Sequence, residues 1–74
     1  MTDLEILQGV IGAVVYHNYD NGYAVIRLIC EGGQAVTVVG TIPMPAIGER
    51  LMVTGRWSTH SSYGRQFEAD FLER

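Results

Sequence analysis

Lysine is absent from this 74-residue chain, and the basic residues apart from two histidines are five arginines, Arg27, Arg50, Arg56, Arg65 and Arg74. Without an amine, neither the phosphate-cradling loop that ends in Gly-Lys-Ser/Thr nor any Schiff-base mechanism is available, so ATP hydrolysis does not reside in these residues alone. Cys30 is the single cysteine. It excludes an internal disulfide and a multi-cysteine zinc site, and its apolar surroundings fit a reduced interior thiol, which makes a cytoplasmic location the expectation. Long apolar runs are missing too: stretches such as Ala13 to Tyr16 are far shorter than the ~18 residues of a membrane-crossing helix. The start Met1-Thr2-Asp3 lacks the basic residues that open a secretion signal. An excess of positive charge is lacking as well. Eight carboxylates leave a net charge of −3 and a pI near 5.1, so a nucleic-acid partner has to be held by a local patch against a repelling overall field. Length is the last shortage. A chain this short buries roughly 60% of its unfolded surface, enough for one regular core but not for a deep substrate cavity, which weighs against a solitary enzyme.

What the chain does have is strand chemistry: β-branched and aromatic residues in short runs, with glycine in the gaps. Five strands are expected. The first runs from Leu4 or Leu7 to His17. Ile11 falls on one face and Val14 and Tyr16 on the other, unless a bulge at Gly12-Ala13 returns all three to one side and bends the strand as a small barrel requires. Asn18-Tyr19-Asp20-Asn21-Gly22 supplies a reversing loop. The second strand, Tyr23 to Glu31, sets Ala24, Ile26, Leu28 and Cys30 on one face against Tyr23, Val25, Arg27 and Ile29 on the other. After Glu31-Gly32-Gly33, a third strand spans Gln34 to Thr41, with a corner expected at Gly40. Pro43 and Pro45 forbid a regular element from Ile42 to Gly48, and Met44, Ala46 and Ile47 are expected to plug a barrel end. The fourth strand, Glu49 to Ser58, directs Leu51, Val53, Gly55 and Trp57 inward. Past the polar loop Thr59 to Gly64, the fifth strand, Arg65 to Leu72, directs Phe67, Ala69 and Phe71 inward and Gln66, Glu68 and Asp70 outward. No segment has a useful helical period. This is the pattern of an all-β, five-stranded OB-fold, a Greek-key barrel that binds through the face of its second and third strands and the flanking loops.

Within that pattern stand Gly9, Ile11, Val14, Tyr16 and Asn18; Asn21-Gly22-Tyr23-Ala24-Val25; Val36-Thr37-Val38-Val39-Gly40; Gly48-Glu49; Thr54-Gly55-Arg56-Trp57; His60; and Tyr63-Gly64-Arg65-Gln66-Phe67-Glu68-Ala69. In order and spacing this set, from Gly9 to Asp70, resembles the N-terminal OB-fold domain of bacterial RecD/TraA-type DNA helicases, also called exodeoxyribonuclease V alpha-subunit-like proteins. The resemblance implies an accessory domain of an ATP-driven helicase moving 5′ to 3′ on single-stranded DNA in recombination and repair. The motor, with its ATP and magnesium, is then expected beyond Arg74 in a longer polypeptide, residues 1–74 forming a single OB-fold domain. No motor residue of the family maps onto this chain.

Small barrels hold single strands by stacking bases on exposed aromatics and tracking phosphates with cations. Tyr16, Phe67 and Phe71 fit an inward register and are assigned to the core, and Trp57 to the core or barrel rim in preference to stacking. Tyr19, Tyr23 and Tyr63 flank the loops that frame the binding face and are the stacking candidates, with hairpin packing as the alternative. Arg27 projects outward from the second strand. Arg56 and Arg65 bracket the loop carrying His60, Ser61, Ser62 and Tyr63, and either contact phosphate or pair across the hairpin with Glu68 or Asp70. His17 and His60 have no third ligand spaced to join them, so no metal site is expected, and His17 is read as bonding within the Asn18 to Gly22 loop. No nucleophile and base are arranged for catalysis. Weak contact with single-stranded DNA is one reading of the domain. The other is a protein-docking module with no nucleic-acid contact, supported by acidity and by Val25, Ile29 and Met52 facing outward.

Overall fold

A computed structural model of the chain describes residues 4–61 and 64–74. Its strands are β1 (Glu5–His17), β2 (Tyr23–Cys30), β3 (Ala35–Thr41), β4 (Arg50–His60) and β5 (Gly64–Glu73). They close into a barrel in the order β1-β2-β3-β5-β4, with β4 returning to pair with β1. The pairings are antiparallel except for a short parallel seam, where Val38 lies beside Phe67 of β5 and Val39 beside Glu68. The expected all-β barrel of OB type is therefore the observed one, although β4 runs on to His60 and leaves a shorter β4–β5 loop than the sequence suggests.

Strict alternation builds most of the interior. Ala24, Ile26 and Leu28 of β2 and Leu51 and Val53 of β4 are buried, together with Ile11, Val38 and Phe67 from the remaining strands. Removing each of the larger side chains from water contributes about 1.5–3 kcal/mol. The close approach of strands also demands glycine at specific points: a Cβ on Gly55 would stand 1.9 Å from the Glu68 carbonyl oxygen, well inside contact distance.

Several expectations fail, and two of them, for Tyr16 and Phe71, fail for one physical reason. β1 does carry the bulge foreseen at Gly12, between the pairs Ile11–Leu28 and Ala13–Arg27. It also carries a second, at Val15, between the pairs Val14–Ile26 and Tyr16–Val25. Directly opposed residues of an antiparallel pair share a face, so Val14 joins Ile26 inside while Tyr16 follows Val25 outside. Tyr16 is accordingly 50% exposed and does not belong to the core. A like irregularity at Asp70, between Gly55–Ala69 and Thr54–Phe71, turns Phe71 out to 68% exposure and sets Leu72 opposite Val53, packed against the core.

A third concerns the loop after β3. Met44 is 82% exposed, Ile47 and Ala46 also face solvent, and Ile42 alone of these apolar residues is fully buried. The Ile42 amide donates to the Gly22 carbonyl at 3.0 Å and the Gly48 amide to the Ile11 carbonyl at 2.8 Å. Arg74 donates to the carbonyls of Pro43 and Met44. The loop is thus held by its backbone groups, with the side chains of Met44, Ala46 and Ile47 turned away from the barrel. Gln66, expected outside, is buried instead, and its amide donates to the Ser58 hydroxyl at 3.4 Å. Val25 and Met52, expected outside, are half-buried, whereas Ile29 does face solvent.

Candidate nucleic-acid interface

The β1–β2 loop satisfies its own backbone. Asn18 Oδ1 accepts from the Asp20 amide at 2.8 Å and Asn21 Oδ1 from the Tyr23 amide at 2.9 Å. Gly22 takes the left-handed conformation at φ 78° and donates its amide to the Asn18 carbonyl. These short Asn side chains replace a turn of regular pairing and leave Tyr19 at the tip, 89% exposed, with the His17 ring against it at 4.5 Å between centroids. The observed contact of His17 is thus ring on ring.

Beside this loop lies the outer face of β1, β2 and β3. Tyr16 and Tyr23 meet there with centroids 6.4 Å apart and planes tilted by 56°, and Asn18 Nδ2 donates to the Tyr16 hydroxyl at 3.4 Å. Both rings are partly exposed. With Val15, Val25, Arg27 and Thr37 they line a concavity of about 440 Å³. An apolar floor, two aromatic faces and one guanidinium at its border suit the stacking and charge pairing that single strands require.

A second concavity, of about 190 Å³, opens further along β3 between Gln34, Ala35, Val36, Thr37, Trp57 and Arg65. The rings of Trp57 and Phe67 of the core meet nearly at right angles with centroids 5.1 Å apart, in keeping with the core or rim role expected of Trp57. The Arg65 guanidinium carbon stands 4.1 Å above the ring, an attraction worth about 0.5–1 kcal/mol at an exposed site. Thr37 lines both concavities. A third hollow of about 500 Å³, bounded by Gln8, Gly9, Val10, Ile29, Cys30, Glu31 and Arg50, contains no aromatic side chain. Burial pushes the Cys30 thiol upward from its ordinary range, so at neutral pH it is a protonated wall and not a nucleophile.

Of the residues singled out from the sequence, Tyr23 and Arg27 share the concavity of about 440 Å³ and Arg65 lines that of about 190 Å³, while Tyr19 stands at the loop tip. Arg56 lies on the exposed side of β4 and pairs with Asp70 at 3.2 Å, the cross-hairpin arrangement that was one of its two readings. His60 sits exposed at the end of β4, and Tyr63 lies outside the described residues. Sequence reasoning missed Tyr16 and Thr37. The signal for Tyr16 was its conflict of period with Ile11, which one bulge alone was made to resolve.

The chain has no lysine for a phosphate loop, and among the described residues no group of three His, Cys, Asp or Glu side chains could hold a metal ion. Compared with known families, residues 4–74 match the family described as ATP-dependent DNA helicase YrrC, OB-fold domain. No solved structure matches the chain.

Proposed function

The chain belongs to the OB-fold domain family of the ATP-dependent DNA helicase YrrC, and from that premise we propose that it serves a RecD-like 5′–3′ helicase of recombination and repair by contacting single-stranded DNA. In this reading it is the N-terminal accessory domain of a cytoplasmic polypeptide whose motor binds ATP and magnesium elsewhere. The domain itself is non-catalytic and has the motor as its neighbour. One observation supports DNA contact above the rest: Tyr16, Tyr23 and Arg27 line a single solvent-facing concavity on the surface that OB-folds use for oligonucleotides. Net acidity and few cations keep the affinity low and the salt dependence shallow.

The test is a low-salt titration with oligo-dT read through Trp57, the sole tryptophan. The expected result is saturable binding that Tyr23→Ala weakens by about fivefold, the low end of one lost base stack. No binding up to about 1 mM, beyond the range of ordinary non-specific association, would overturn the proposal.

A further inference from the structure

The five arginines differ in how their charge is met. Arg56 is paired with Asp70 and Arg74 with Glu49. Among the described residues, Arg27, Arg50 and Arg65 have no carboxylate within ion-pair distance, and of these Arg50 lies apart, in the hollow beside Cys30. Arg65 is held over Trp57 instead, a contact that leaves its charge without a carboxylate partner.

Between them stands Thr37. It is the register partner of Arg27 across β2 and β3, so the two side chains rise from the same face with backbones about 5 Å apart. It also forms part of the wall of the concavity that Arg65 borders. A hydroxyl donor is therefore flanked by a guanidinium on each side, along a line crossing β3.

We infer that Arg27, Thr37 and Arg65 form one phosphate track, on which the sugar-phosphate backbone of a single strand crosses β3 at Thr37. This rests on the reading of the preceding subsection and adds the path of the strand. Bases on one side of the crossing reach the Tyr16–Tyr23 pair. Those on the other meet the Arg65 plane, because the guanidinium already occupies that face of Trp57. Two uncompensated cations on one path, in a protein of net charge −3, make the interaction local: phosphate is attracted along the track and repelled by the molecule as a whole.

Fluorescence anisotropy of a fluorescein-labelled oligo-dT across a salt series tests it. Arg27→Gln and Arg65→Gln are each expected to lower the magnitude of the log–log salt slope by about 0.7, the value for one single-strand phosphate. Thr37→Val weakens binding with the slope unchanged, and Arg65→Lys, which keeps the charge, retains the slope. Arg50→Gln removes an equal charge from the hollow beside Cys30 and leaves the slope as in wild type. If wild type binds but the Arg27 and Arg65 variants keep the full slope, or Arg50→Gln lowers it equally, the track is overturned while DNA contact stands. If wild type does not bind, both fall.

Discussion

At the scale of single residues, Phe67 and Phe71 show how little residue type says without register. They lie four positions apart on β5, and both were assigned inward, yet one is fully buried and the other 68% exposed. Phe67→Ala is expected to cost about 3–5 kcal/mol. Phe71→Ala should cost under about 0.5 kcal/mol, as for exposed positions generally. Urea denaturation of the two variants separates them, and similar midpoints would mean that the Asp70 irregularity is misplaced. Gly55→Ala should be the more disruptive of any pair of glycine substitutions at Gly55 and Gly33, since backbone stands in the way at the former and open space surrounds the latter. Gly33 retains its own conformational demand, at φ 83°. Cys30 adds a pH dependence. Its folded-state pKa is raised by burial, so its contribution to stability is complete below the pKa of the unfolded thiol, and declines as pH climbs from there through the folded value. Stability measured against alkaline pH should fall less steeply in Cys30→Val than in wild type.

At the scale of elements, the β1–β2 loop and the bulges decide what the binding face displays. Asn18→Ala leaves the Asp20 amide without its acceptor and is expected to destabilise by about 0.5–1.5 kcal/mol. The change should also broaden the amide signals of residues 18–22, a check by NMR that a purely global effect would not satisfy. The number and order of the strands, the inward sets of β2 and β4, and the first bulge were legible because alternation and glycine state them directly. The second bulge was not, since Val14, Val15 and Tyr16 are all acceptable strand residues and only the pairing partner reveals which one is left over. That same ambiguity hid Tyr16 from the candidate site, whereas Tyr23 and Arg27, on a strand of unbroken alternation, were read on the correct face. The loop from Ile42 to Gly48 misled for another reason. Hydropathy marks apolar side chains but not backbone hydrogen bonds, and here the bonds to Gly22 and Ile11 set the path.

At the scale of the whole molecule, closure depends on partners remote in sequence. The barrel completes only when β1 has met both β2 and β4, and β3 has met β5. Such non-local pairing places folding in the millisecond-to-second range, which stopped-flow refolding would measure. Ring closure is also uneven around the circumference. β4 and β5 pair over most of their length, while β3 and β5 share two register partners. Amide exchange should accordingly be fastest along that short parallel contact, as expected where few hydrogen bonds resist local opening. Thr37 and Arg65 stand on its two lips, one on each strand. A strand of DNA laid from one to the other would act as a suture, and the hoop would then be least prone to gape when it is loaded.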